Sequence, residues 1–359
     1  MQLYSRPLKP EDFQKQIKTI QKTYGIKAED CPTECFVKIL DAERLRHAMQ
    51  NSDLIDYTVT IKKPSECHKF IVTEIIPLTG LDHSRRELLD SLDVLLANIL
   101  KLGFRQDRKW LSIDLDQKYW SSFPNRYNPS RLKHGSFKRV LELLQETGLI
   151  ELKRDFMVSG KRLKSRLRST EGFLNVVREF NLMPLNVKLD VISHPSKELL
   201  ILKDDKKKYT DYVDSKSTNG ERGFIRNLNR YFESVKLLDS KGLPVGKVFR
   251  RVFNDSSFSQ GGRFYSEYQN LPKDDRLRLT IDGERVVEFD YRGLHIKLLY
   301  ALIKEPLPTG DVYLVEGYEH YRDLFKKALQ AALNASTPKS GAAAIQLSLN
   351  LEGEKGITG

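Results

Sequence analysis

Apolar residues recur at helical spacing in several separated stretches of the chain. Leu88, Leu89, Leu92, Leu95, Leu96, Ile99 and Leu102 fall on one face and predict a helix over Leu81 to Leu102. Phe137, Val140, Leu141 and Leu144 make the i, i+3, i+4, i+7 set of a second helix, with Ser136 placed to cap it and Thr147-Gly148 to stop it. Thr170 to Phe180 predicts a third, and Ile225, Leu228, Phe232 and Val235 a fourth over 225–238. Core packing is the ordinary use of such stripes.

Strand-like runs lie between the helices. Leu149 to Lys153, a turn at Val158-Ser159-Gly160-Lys161, and Ser165 to Arg168 follow the second helix directly. Helix, strand, turn and strand in this order resemble a winged helix, in which the helix enters a nucleic-acid groove and the hairpin touches the backbone. Asp204 to Arg222 is polar and charged and reads as a linker. Arg285 to Phe289 reads as a buried strand, after which Leu294, Leu298 and Ala301 resume helical spacing. The expected fold class is α+β. A mixed region covers 1–120, a winged-helix-like region 121–203, a linker 204–222 and a further domain 223–359.

Charge sharpens this picture. The 359 residues carry a net charge of +12, and 12 Lys and Arg against 4 Asp and Glu lie between Arg126 and Arg168. Two thirds of the excess therefore falls in one short segment, which favours a polyanionic partner. Arg131, Lys133, Lys138, Arg139, Lys161, Arg162 and Lys164 are the expected nucleic-acid contacts there. A winged helix used for protein contacts is the competing reading. The longest apolar runs, such as Leu298 to Ile303, are far below the ~20 residues of a membrane span. The N-terminus lacks the apolar core of a secretory signal, so a cytoplasmic, non-membrane protein is expected. The three cysteines, Cys31, Cys35 and Cys67, fit a reducing compartment. A zinc site from these and His68 would need two adjacent residues to reach one metal, so idle or buried thiols are the expectation.

Candidate chemistry lies after Arg251, in four short pieces. Gly261-Gly262-Arg263 would present an arginine from a tight loop, followed by Gln269-Asn270-Leu271-Pro272. Asp290 stands at the end of the expected strand and before a helix, where a carboxylate can hold Mg²⁺ or simply cap the helix. Gly310-Asp311-Val312-Tyr313 reads as a turn. Arg322 and Lys326 share a helix face that continues through Gln330 and Asn334. Two cations one turn apart can grip a triphosphate, although a solvated basic face has the same pattern.

In this order the four pieces resemble the family A DNA polymerases over Gly261 to Asn334. The family's Gly-Arg loop running into Gln-Asn-Ile-Pro is similar to Gly262-Arg263 and Gln269-Asn270-Leu271-Pro272. Its first catalytic motif, Asp-Tyr-Ser-Gln-Ile-Glu-Leu-Arg, is similar to Asp290-Tyr291-Arg292-Gly293-Leu294-His295-Ile296-Lys297. The fingers helix Arg-x3-Lys is matched by Arg322 and Lys326.

The resemblance implies a partial palm and fingers in 223–359 and Mg²⁺-dependent, template-directed nucleotidyl transfer. Asp290 would be the catalytic and metal-binding carboxylate. Arg322 and Lys326 would bind the nucleoside triphosphate. Arg263, with Gln269 and Asn270, would contact a DNA or RNA primer–template. His295 falls where the family has a sugar-selecting glutamate. Gln330 and Asn334 stand where it has an aromatic residue and a tyrosine. The late His-Asp-Glu motif has no counterpart, and the expectation is a palm that stops short of its second carboxylate. Asp282 and Glu288 are the remaining acidic candidates. The alternative is a non-catalytic DNA-binding initiator or regulator of a phage or mobile element. A reverse transcriptase or RNA polymerase fits less well, since no Tyr-x-Asp-Asp occurs.

Overall fold

The Leu81–Leu102 stripe becomes the central rod of the larger of two units. A computed structural model of the chain describes residues 52–103, 110–154, 157–158, 161–162, 164–289, 291, 293–307 and 309–353. It is an α+β protein that divides into two compact units, Met1–Val286 and Val287–Gly359. No helix among the described residues is long and apolar enough to cross a membrane.

Helix α1 (Arg86–Gly103) is buried almost all round from Leu88 onward. Its polar residues are therefore all paired. Asn98 accepts the Asp56 N–H at 2.9 Å and donates to the Asp56 and Val94 carbonyls at 3.0 and 2.8 Å. Leaving such a buried amide unsatisfied costs ~1–3 kcal/mol, so Asn98 fixes the loop between β1 (Asp53–Leu54) and β2 (Val59–Ile61). Against this rod lies a sheet of order β1-β3-β7-β4, with β3 at Leu111–Ile113, β4 at Ile150–Lys153 and β7 at Ser165–Ser169. β1 and β3 are parallel, and the other pairs are antiparallel. One hydrophobic core runs from Ile55 to Val187. The expected boundary at residue 120 falls inside that core.

After α2 (Gln117–Ser122), the expected helix–strand–turn–strand order appears as α3 (His134–Glu146), β4, the hairpin β5 (Met157–Val158) and β6 (Lys161–Arg162), then β7. Ser136 does not cap α3. The helix starts one turn earlier at the Lys133 N-cap, because Asn128 accepts the Leu132 N–H and donates to its carbonyl, both at 2.9 Å, and so sets the entry. Gly148, at φ 70°, ends the chain reversal as expected. Thr170 caps α4 (Glu171–Glu179), accepting the Phe173 N–H at 3.2 Å, and α5 (Pro184–Asp190) leads into β8 (Val191–Ser193), which pairs with β2.

The segment 204–222 is not a linker. Its last residues are the first turns of α6 (Lys216–Glu233), started by reciprocal capping between Ser215 and Thr218. Tyr209 packs on Tyr127 with ring centroids 4.9 Å apart. α6 covers a second, smaller core of Leu199, Leu200, Leu202, Ile225, Phe249 and Phe253. That core lies on a three-stranded sheet of β9 (Leu200–Leu202), β11 (Arg250–Asn254) and β12 (Ser257–Tyr265), while β10 (Leu237–Leu238) pairs with Thr280–Ile281.

The strand expected at 285–289 does not form beyond Arg285. Only Glu284–Arg285 pairs, with Thr280–Ile281, while Val287 and Phe289 are 70% and 88% exposed. A β-branched run without a partner strand does not extend the ladder.

The smaller unit holds α7 (Leu294–Ile303), α8 (Arg322–Asn334) and α9 (Pro338–Gly353). Among its described hydrophobic residues only Ile296 and Tyr313 are buried.

Candidate nucleic-acid interface

Helix α3 has two chemically distinct faces. Phe137, Val140, Leu141 and Leu144 are buried, and Lys133, Lys138 and Arg139 are exposed. The exposed cations make loose pairs: Lys138 lies 3.9 Å from Glu142, and Arg139 3.7 Å from Glu146. Lys133 makes a closer pair with Glu87, at 2.9 Å. Arg131, Lys153, Arg154 and Lys164 add to the same exposed set. Lys161 and Arg162 stand on the hairpin strand β6.

Three cations of the basic segment have structural work instead. Arg166 is buried and donates to Ser112 Oγ at 2.8 Å. Arg168 pairs with Glu151 at 2.6 Å and lies over the Trp110 ring. Arg126 reaches Glu198, Asp211 and Asp214 at 3.1, 2.9 and 3.0 Å. Arg222 meets Glu198 and Asp214 from α6 at 3.0 and 2.8 Å. Burial works against the Glu198 carboxylate, but hydrogen bonds from Arg222, the Leu200 N–H and Arg126 outweigh it and hold its carboxyl below the usual range. This network joins the two cores of the larger unit and already occupies both guanidinium groups.

Beside α3 a cleft of about 600 Å³ opens between the β3–α2 loop, α3 and the start of β7. Lys138, Arg154, Lys164 and His134 line it together with Asp114 and Asp116. Asp114 accepts the Asp116 N–H at 3.0 Å and pairs with Lys164 at 3.1 Å. Asp116 caps α2 by accepting the Lys118 N–H at 2.8 Å. Lys138 and Arg154 share a single carboxylate, Glu142, at 3.9 and 3.8 Å. The cleft brings the expected contacts Lys138 and Lys164 together. It adds Arg154, His134, Asp114 and Asp116, which charge clustering and motif order do not mark. Only the pairing of β3 with β7 places Asp114 opposite Lys164; the one local signal was an aspartate, Asp116, just before a helix.

Arg263, Gln269 and Asn270 belong to the same unit. Arg263 is not on a tight loop but in strand β12, exposed and opposite Val252. The glycines before it serve a register shift: Gly261 and Gly262 have φ of 82° and 73°, and a Cβ on Gly262 would come within 2.9 Å of the Phe253 ring. Gln269 accepts the Ser266 N–H at 3.0 Å and so caps the short 3₁₀ turn Glu267–Asn270, while Asn270 is exposed.

In the smaller unit Asp290 lies outside the described residues. The N-cap of α7 is Gly293, not Asp290. A Cβ on Gly293 would come within 2.7 Å of Val312, so the turn at 310–313 rests directly on the start of α7. Asp311 in that turn accepts from Arg322 at 2.7 Å. This hydrogen bond, the largest influence, holds the Arg322 guanidinium above its usual range. Arg322 and Lys326 lie 5.7 and 6.0 Å from the centre of the Tyr313 ring. Three of the sequence pieces thus meet: the α7 start, the 310–313 turn and the Arg322–Lys326 face. His295 is exposed on α7, and Gln330 and Asn334 are exposed on α8, where Asn334 donates to the Gln330 carbonyl.

Among the described residues no group of three His, Cys, Asp or Glu side chains is placed to hold a metal. Cys67 is buried, its thiol pushed up to about 12 by burial and by the nearby Asp190 carboxylate. Cys31 and Cys35 lie outside the described residues. Comparison with known proteins finds no matching family model, no similar curated protein and no similar solved structure.

Proposed function

We propose that this protein binds nucleic acid through the exposed face of α3 and the cleft and hairpin beside it. The supporting observation is the division of α3, whose apolar side is consumed by the core and whose other side carries Lys133, Lys138 and Arg139 next to Arg154 and Lys164. Exposed ion pairs are worth only ~0–1 kcal/mol each, so phosphates can replace the loosely held carboxylates at little cost. Release of counterions from the polyanion then drives association.

The test is duplex binding as a function of salt. Lys138→Ala combined with Arg139→Ala is expected to weaken binding and reduce the log–log salt slope by about 2, one for each lost phosphate contact. An unchanged slope in a folded double variant defeats the proposal.

A second reading is favoured by the meeting of Gly293, Tyr313, Arg322 and Lys326 in the smaller unit. Here Arg322 and Lys326 hold the phosphates of a nucleoside triphosphate. A primer 3′-hydroxyl attacks the α-phosphate and pyrophosphate leaves, as the family A polymerase resemblance implies. Mg²⁺ would rest first on Asp290, where it would neutralise phosphate charge. The described residues do not complete a metal site, so the reading turns on nucleotide binding by the two cations. Primer extension lost in Asp290→Ala and weakened in Lys326→Ala supports it. With no extension under any condition, a non-catalytic DNA-binding role is the account that stands.

A further inference from the structure

We propose that the cleft beside α3 is a nucleotide pocket that takes one phosphorylated nucleotide with an amino-bearing base. Its volume, about 600 Å³, falls within the ~300–1,000 Å³ of small-ligand sites, whereas a bare phosphate would leave most of it empty. The lining is divided by charge. On one side Lys138 of α3 and Arg154 beyond β4 face a single shared carboxylate, Glu142, at 3.9 and 3.8 Å. Two cations held at the limit of pairing by one anion leave a positive charge unmatched, and a phosphate with several acceptor oxygens completes that arrangement. On the other side the Asp116 carboxylate uses Oδ1 on the Lys118 N–H. A carboxylate is an acceptor only, so the ligand group that suits it is a donor, such as the exocyclic amine of cytosine. Gln117 beside it offers an amide donor and acceptor to the rest of a base edge. Lys164, paired with Asp114 at 3.1 Å and lying over the Tyr119 ring, closes the cleft between the two sides.

The same phosphate could come from a free nucleotide or from the phosphorylated end of a strand. The strand-end source rests on the nucleic-acid reading above; the pocket does not. Trp120 supplies a reporter, because its indole N–H donates to the Asp114 carbonyl at 2.8 Å and its ring lies 6.4 Å from His134.

The experiment titrates the full chain with cytidine monophosphate, uridine monophosphate and cytidine, reading tryptophan emission. A saturable change is expected with cytidine monophosphate. Uridine monophosphate, lacking the amine, should bind about fivefold more weakly, the worth of one hydrogen bond. Arg154→Ala should weaken both nucleotides, and Asp116→Asn, which still caps α2, should remove the preference for cytidine. A 5′-phosphorylated single strand that competes better than its 5′-hydroxyl counterpart identifies a strand end as the occupant; competition by neither identifies a free nucleotide. The proposal is overturned if no monophosphate gives a saturable change at millimolar concentration, or if Arg154→Ala binds as the parent does. Duplex binding measured on the same samples separates the two claims. Duplex bound without nucleotide sinks the pocket alone, and nucleotide bound without duplex sinks the surface reading alone.

Discussion

In Met1–Val286 the leucines of α1 and α3 are almost all buried, whereas in Val287–Gly359 the apolar helix α7 leaves Leu298, Leu302 and Ile303 more than half exposed. Both units have helices of regular spacing, so periodicity does not distinguish them. The difference is whether a sheet lies beneath. α1 and α3 close over β1-β3-β7-β4 and share one core, and the described residues of the smaller unit form no strand. Stability is concentrated where apolar area leaves water, at ~25 cal/mol per Å².

Paired truncations test this contrast most strongly. Phe137→Ala, in the larger core, is expected to lower unfolding free energy by about 3–5 kcal/mol in urea titrations. Leu302→Ala, on the open face of α7, should change it by less than about 0.5 kcal/mol. Equal losses at the two sites would show that the α7 face is covered in solution.

Glu198 comes next. Glu198→Gln leaves Arg126 and Arg222 without their shared buried charge and should cost about 3 kcal/mol. The pH dependence has a definite sign. The folded-state pKa is depressed, so the contribution is fully present above the unfolded value of about 4.3 and is lost as pH falls through the lower folded value. Stability measured from pH 6 down to 3 should therefore fall more steeply in the parent than in Glu198→Gln. A smaller loss than at Glu198 is expected for Thr170→Ala, about 1 kcal/mol for one cap of α4, with any nucleic-acid affinity unchanged.

These contrasts also mark what the sequence could disclose. α1, α3 and α4 were legible because a buried stripe with punctuating Thr or Gly is local information. The order of α3, β4, hairpin and β7 was legible for the same reason. The fate of 204–222 was not. Its polar composition matches a linker, and it is Arg126, arriving from more than 80 residues away, that ties Asp211 and Asp214 into the fold. The strand expected at 285–289 failed in the opposite way, since Val286 to Phe289 have strand character but no partner strand among the described residues. Of the candidate site, Lys138 and Lys164 could be named from charge clustering. Asp114, Asp116 and Arg154 became visible only when strand pairing brought them to one cleft. Gln269 shows that a motif residue can be spent on a cap.

The Arg126–Glu198–Arg222 network has a consequence for cutting the chain. Lys206, Lys207 and Lys208 form an exposed turn between Glu198 on one side and Asp211, Asp214 and Arg222 on the other. Trypsin acting there would sever the polypeptide without parting it. β9 would remain zipped to β11 and Arg126 would remain clasped by the far fragment, so the nicked protein should travel as one particle and separate only when denatured.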